Sequence, residues 1–145
     1  MERNTGSLIG LTVACTISAV IFGFGAEMFS WRSAYEGLGR ESLIQTTRLV
    51  VYVTLGVLLA FRGGWHGVLA AIAMAFVATS VEWALYPFSY AWASIEDPAG
   101  YADTFGGVQR PDYAFWTTYD IIGVGISAAL AQGLRTMAQV NPRDL

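Results

Sequence analysis

The fold follows from residues 42–88, which read SLIQTTRLVVYVTLGVLLAFRGGWHGVLAAIAMAFVATSVEWALYPF. This apolar stretch is interrupted at Arg62-Gly63-Gly64. A helix needs about 20 residues to cross a bilayer, so the stretch is long enough for two crossings. Because glycines commonly end helices, we expect a very short turn after Arg62. The sequence therefore predicts one transmembrane span at about 42–61 and another at about 65–88.

Two further apolar segments flank this stretch, at about 7–29 and 113–134. The first contains Glu27 and no small-residue cleavage site before polar sequence, so we expect a retained helix and not a signal peptide. The longest connection is the loop expected at 89–112. Residues 1–145 are therefore predicted to form a single domain. Its predicted fold is an all-α integral membrane protein with four transmembrane helices in an antiparallel up-down bundle.

The composition agrees with a membrane location. The chain has 145 residues, of which 54% are hydrophobic and 13% are charged, whereas soluble domains have about 25% charged residues. Eight basic and eleven acidic residues leave no basic surface for nucleic acid. We expect a multi-pass protein of the cell membrane. Because slightly more arginines lie on the side that holds both termini, the positive-inside rule predicts that both termini are cytoplasmic.

Several kinds of chemistry are excluded by missing residue types. Arginine supplies all eight basic residues, so no lysine is present for a Schiff base or a P-loop. His66 and Cys15 are the single histidine and the single cysteine, which excludes bis-histidine haem ligation, a His/Cys zinc site and an internal disulfide. We therefore expect no catalytic residues, no metal and no cofactor, and a protein that is not an enzyme.

Each predicted span carries a stripe of small or polar residues at helical spacing that includes one ionisable group. Small residues allow helix backbones to approach closely in lipid, so we expect the stripes to face the bundle interior. In chain order, the stripes are Thr12, Thr16, Ala19, Gly23 and Glu27; Gln45, Arg48, Tyr52 and Gly56; Gly67, Ala71, Ala75, Ala78 and Glu82; and Asp120, Gly123, Ser127 and Ala131.

The four ionisable groups of these stripes are expected at similar depth, where they would form an intramembrane polar cluster of Glu27, Arg48, Glu82 and Asp120. Gln45, Tyr52 and Tyr86 are the expected supporting residues. A charge in hydrocarbon costs about 2.5–3.5 kcal/mol on insertion scales, so such groups face inward and pair. A guanidinium can bind one carboxylate in a bidentate fork and contact a second one.

Two interpretations of the cluster remain open. In the structural interpretation it is an ion pair that fixes helix register, and the remaining carboxyl is protonated. In the functional interpretation it is a proton or cation site, or a polar pocket for a lipid head group or a quinone.

The function predicted from these features is that of a small polytopic membrane protein, a non-catalytic subunit or interaction partner of a larger membrane assembly. Its expected partners are the lipid bilayer, other membrane subunits and copies of itself. The chain is short, and its 89–112 loop is rich in aromatic residues suited to docking. One alternative is a small proton- or cation-coupled transporter that uses the polar cluster. A second alternative is a membrane enzyme that binds a lipid or a quinone near Glu82 and Tyr86.

Overall fold

The computed structural model describes residues 2–35, 41–96 and 113–139, with side chains described over 6–26, 46–85 and 117–139. These residues form three α-helices: α1 (Glu2–Tyr35), α2 (Glu41–Glu96) and α3 (Tyr113–Gln139). Each helix contains a segment long and apolar enough to cross a membrane, namely Gly6–Ala26, Thr46–Leu85 and Thr117–Gln139. The all-α, membrane-type character predicted from the sequence is confirmed.

The prediction of four transmembrane helices is wrong, because the described part of the chain contains three. The two spans predicted on either side of Arg62 belong to one helix, α2, in which Gly64 has non-helical angles (φ 59°, ψ −137°). One residue in a conformation open essentially to glycine is enough to turn the chain, so no connecting segment separates the two spans. α2 also continues to Glu96, into the segment predicted as a loop, of which residues 97–112 lie outside the described part.

The α2 helix folds back on itself at Gly64 to form a hairpin. We refer to residues 41–63 as its first arm and to residues 65–96 as its second arm. Arg48 of the first arm lies 3.1 Å from Glu82 of the second, whereas a straight helix would separate these positions by about 50 Å. A Cβ on Gly56 would likewise lie 3.4 Å from the Cβ of Ala71. The two arms are therefore antiparallel neighbours.

Small residues allow the arms to approach closely. Ala60, Ala71, Ala75 and Ala78 are fully buried. At Gly67 no side chain fits, since a Cβ would overlap the Leu59 carbonyl group and would lie 3.0 Å from the Cα of Ala60. In lipid, where no hydrophobic force brings helices together, backbone approach of this kind supplies the van der Waals contact that holds them.

α1 and α3 both pack on the α2 hairpin, and within the described residues they do not pack on each other. α1 runs parallel to the second arm, since its Leu8 side chain lies at Gly63 and its Gly23 lies at Glu82. α3 runs parallel to the first arm, with Val124 against Gly56. The hairpin is therefore the centre of the molecule.

α3 also supplies a hydrogen bond at the hairpin turn. The Arg135 guanidinium donates to the backbone carbonyl of Phe61, three residues before Gly64. Carbonyl groups close to a helix break lack helical donors and need another one. At the end of a transmembrane segment, where unpaired backbone groups are costly, this contact ties α3 to the turn.

Candidate functional site

Three of the four ionisable groups predicted to meet are in contact. Nη2 of Arg48 donates to Oδ2 of Asp120 at 2.5 Å, and Nε of Arg48 lies 3.1 Å from Oε2 of Glu82. The side chains of Arg48, Glu82 and Asp120 are 10%, 7% and 2% exposed. We refer to these three residues as the charged cluster.

The helices bring the cluster to one level for a simple geometric reason. Arg48 lies seven residues after the first residue of α2, and Asp120 lies seven residues after the first residue of α3. Because the first arm and α3 are parallel, both side chains lie about 10 Å from their helix starts. The reversal at Gly64 then places Glu82 at the same level from the opposite direction.

One edge of the guanidinium serves both acids. Nε and Nη2 are the two donors of that edge, and each pairs with a different carboxylate. The sequence allowed a bidentate fork with one acid plus a contact to a second. In the structure Nη2 donates a hydrogen bond to Asp120, whereas the contact of Nε with Glu82 is an ion pair without hydrogen-bond geometry. Arg48 thereby links the second arm of α2 to α3. With both acids ionised, the charged cluster carries a formal net charge of −1.

Three buried residues with hydroxyl groups, Tyr52, Thr79 and Thr117, lie one helical turn along the chain from Arg48, Glu82 and Asp120. The Tyr52 ring lies under the guanidinium, with its centroid 5.2 Å from Cζ of Arg48, a distance at which a cation is attracted to the ring face. Tyr52 is fully buried, and its hydroxyl has no hydrogen-bond partner among the described residues. The same is true of the buried hydroxyl of Thr117. The Thr79 hydroxyl donates to the Ala75 carbonyl at 2.7 Å.

The cluster also touches α1 through the Glu82 carboxylate. A Cβ added at Gly23 would overlap that carboxylate, so it lies directly against the α1 backbone. Glycine at position 23 is what allows this approach, since any side chain there would displace Glu82. Glu82 therefore lies between α1 and Arg48.

The structure thus brings Arg48, Glu82 and Asp120 together with Tyr52. Glu27 lies on α1 one turn beyond Gly23, but its side chain falls outside the described residues, as do those of Gln45 and Tyr86. The predicted contributions of these three side chains stay predictions.

The buried face of α3 differs from the predicted stripe. The structure buries Asp120 together with Val124 and Ala128, whereas Gly123, Ser127 and Ala131 are half-buried. The reason is complementarity with the first arm, because a Cβ on Gly56 would lie 2.6 Å from Cγ1 of Val124. Val124 fills the space that Gly56 leaves, and this turns the Val124 side of α3 towards α2. The predicted stripe of the second arm is instead buried along its whole length.

A second feature, not predicted from the sequence, lies on the uncovered side of α1. Gly6, Gly10 and Ala14 follow one another at steps of four residues and are all exposed. A Cβ added at Gly6 or Gly10 would meet nothing within 4 Å. We refer to these three residues as the small-residue face of α1. The sequence carries a signal for this face, because Gly6 and Gly10 have the G-x-x-x-G spacing. In an apolar helix this spacing is typical of helix–helix contacts in membranes.

Over 6–26, 46–85 and 117–139, no group of three or more His, Cys, Asp or Glu side chains is arranged to hold a metal ion. The charged cluster offers two carboxylates around one guanidinium, an arrangement that can exchange a proton or hold helices in register. Comparisons with protein-family models, with curated proteins and with solved structures found no match to this chain.

Proposed function

We propose that this protein is a non-catalytic, membrane-embedded subunit that assembles through the small-residue face of α1. The observation that carries the proposal is that Gly6, Gly10 and Ala14 are exposed, while the buried Cys15 and Ala19 pack α1 on the hairpin. α1 therefore has one packed side and one uncovered side within the span Gly6–Ala26.

The occupant that suits this face is another transmembrane helix. Glycine and alanine leave a shallow strip, and the exposed side chains of Ile9 and Val13 border it. A rigid helix can place its backbone in such a strip and gain close van der Waals contact and weak Cα–H···O bonds. Flexible acyl chains make less ordered contact with it.

We assign the occupant to α1 of a second copy of the chain. The small-residue face is self-complementary, because two strips of the same width can cross at Gly10 without a side chain from either helix obstructing the approach. A two-fold symmetric contact of one patch with itself is the commonest way in which proteins form oligomers. The proposed assembly is therefore a symmetric dimer with crossed α1 helices.

The test is the oligomeric state of the full chain in lipid vesicles, measured by counting photobleaching steps of labelled molecules at several protein densities. Gly10→Ile is the test variant, since open space surrounds Gly10 and the larger side chain does not disturb the protomer. Gly133→Ile is the matched control, because Gly133 of α3 also has nothing within 4 Å. We expect dimers for the wild type and for Gly133→Ile, and a dimer weakened about tenfold or more, about 1.4 kcal/mol, for Gly10→Ile.

Three results would overturn the proposal. The first is a wild-type protein that stays monomeric at every density. The second is a dimer that Gly10→Ile leaves unchanged, which would place the contact elsewhere. The third is a different membrane protein that co-purifies with the wild type and is lost in Gly10→Ile, which would identify α1 as an assembly face but refute the second copy as its occupant.

A further inference from the structure

The hairpin turn brings exposed cationic and aromatic side chains together, at the end of the helices away from the charged cluster. Residues 61–66 read FRGGWH, and both Arg62 and His66 are exposed. Arg135 of α3 reaches the same place, because its guanidinium donates to the Phe61 carbonyl, which is one peptide bond from Arg62. We refer to Arg62, His66 and Arg135 as the basic turn surface.

The apolar spans end close to this turn. Leu8, whose side chain lies at Gly63, is six residues from the start of α1, and Arg135 is four residues from the end of α3. These positions are about 9 Å and about 6 Å from the ends of their helices. The basic turn surface therefore lies near the boundary of the hydrocarbon layer, next to the polar region that holds the lipid head groups.

Positive charge predominates at this end of the molecule. Among the described side chains the acids are Glu82 and Asp120, and both lie at the other end of the helices. The adjoining segments, residues 1–5 and 140–145, contain two acids and two arginines between them, so their side-chain charges balance. Within the described part of the chain, Arg62 and His66 make no hydrogen bond or ion pair. Both side chains are therefore available to a ligand.

An exposed apolar strip runs from the turn along the second arm of α2. Trp65, Leu69 and Phe76 share one face of this helix, since they follow one another at steps of four and seven residues, and each is more than half exposed. Tryptophan at the end of a span is typical of the membrane–water interface. An acyl chain that lies along this strip places its head group at the turn, beside His66. The surface thus suits an amphiphilic ligand better than a free anion.

The donors of the basic turn surface suit a phosphate group. A guanidinium binds phosphate through parallel N–H···O bonds, and an imidazole keeps an N–H donor in either neutral form. The bond from Nη1 of Arg135 to the Phe61 carbonyl holds that guanidinium at the turn and leaves its other N–H groups for a ligand. We propose that the basic turn surface binds the phosphate group of an anionic phospholipid, with an acyl chain along Trp65 and Leu69.

The test is native mass spectrometry of the full chain in detergent, titrated with phosphatidylglycerol or with phosphatidylcholine of the same acyl chains. One arginine at an anionic membrane surface contributes about fivefold to binding, so two predict a preference of about 25-fold for phosphatidylglycerol. Arg62→Gln should lower this preference to about fivefold, and Arg62→Gln combined with Arg135→Gln should abolish it. The measured quantity is lipid bound per protomer, so the result does not depend on dimer formation.

Two controls accompany the titration. Arg40→Gln makes the same change of charge just before the first residue of α2, at the end away from the turn, and should keep the wild-type preference. The melting temperature of Arg62→Gln should equal that of the wild type, because the Arg62 side chain is exposed and has no partner among the described residues. A lost preference in this variant then reports the site and not unfolding.

Any of four results would overturn the proposal. The first is equal binding of the two lipids by the wild type. The second is a preference that the combined Arg62→Gln and Arg135→Gln variant leaves unchanged. The third is an equal loss in Arg40→Gln, which would assign the preference to the overall charge of the chain. The fourth is release of the lipid by inorganic phosphate at the same concentration, which would show an anion site that does not need the acyl chains.

Discussion

Replacing Gly67 with alanine tests the closest contact of the α2 hairpin. The added Cβ would lie 2.7 Å from the Leu59 carbonyl carbon and 3.0 Å from the Cα of Ala60, whereas ordinary contact begins at 3.4 Å. These are backbone atoms that cannot rotate away, so the arms must separate by roughly 1 Å, about the extent of the overlap. Overpacking of this kind costs about 1–3 kcal/mol, and the better helix propensity of alanine offsets at most about 1 kcal/mol. We expect a net loss of up to about 2 kcal/mol.

The measurement is the free energy of unfolding of the purified protein in mixed micelles, obtained by denaturant titration or by steric trapping. Gly133→Ala is the control, since it makes the same chemical change in a helix at a site with open space around it. The control should gain up to about 1 kcal/mol from helix propensity. Because both variants gain the same helix propensity, they should differ by the overpacking cost alone, about 1–3 kcal/mol.

Equal stability of the two variants would refute the reasoning, because it would mean that Gly67 does not lie against the first arm. A distance measurement then distinguishes a hairpin from a straight helix. Spin labels at Val50→Cys and Val81→Cys, two exposed positions at the same level of the hairpin, are placed in a chain with Cys15→Ala. They should lie within about 20 Å of each other in packed arms and would lie about 45 Å apart along a straight helix.

Three further predictions concern the cluster and the turn. Arg48→Gln should lower the free energy of unfolding in micelles by about 3–5 kcal/mol, because it leaves Glu82 and Asp120 buried without their shared cation. A loss below about 1 kcal/mol would contradict burial of the cluster. Tyr52→Phe should leave the melting temperature unchanged or raise it by a few degrees. It removes a buried hydroxyl that has no partner among the described residues but keeps the ring under the guanidinium. Marked destabilisation would reveal a hydrogen bond of that hydroxyl. Gly64→Ala should cost about 1–3 kcal/mol in the same unfolding assay, because φ 59° and ψ −137° are strained for any residue with a Cβ; a neutral result would argue against this turn.

Much of the fold could be predicted because the length and hydropathy of a segment decide whether it can span a bilayer, and both can be read from the local sequence. The apolar lengths around residues 7–29, 42–88 and 113–134 exceed the thickness of a hydrocarbon layer, and this property needs no tertiary information. The Gly63-Gly64 pair marked the reversal correctly. The number of helices could not be predicted, because glycine signals only that a helix is interrupted. Whether the chain leaves a connecting loop or turns at one residue depends on the packing of both arms and α3 around the turn.

The candidate site was predictable in its composition but not in its contacts. An arginine and acids within apolar spans are expected to pair, which singled out Glu27, Arg48, Glu82 and Asp120. The structure brings the last three together, and the side chain of Glu27 lies outside the described residues. Helical periodicity did not predict that one guanidinium edge would be divided between two acids. It also placed the buried face of α3 on Gly123 when the structure buries Val124, because the fit of Val124 to Gly56 decides the rotation of that helix.

The amino-acid sequence alone determined that this chain is helical and that it is suited to the membrane. It also determined that ionisable residues within the apolar spans would pair with one another. These properties depend on segment length, hydropathy and the free energy of isolated charges, and all three are local. The tertiary structure decided which helix lies against which: α2 folds into the central hairpin, α1 keeps Gly6 and Gly10 uncovered, and Glu82 lies between α1 and Arg48. These contacts depend on how the surfaces of segments distant in sequence fit together. The sequence pattern of a small-residue stripe is the same whether the stripe faces a helix of the same chain, lipid or a second copy.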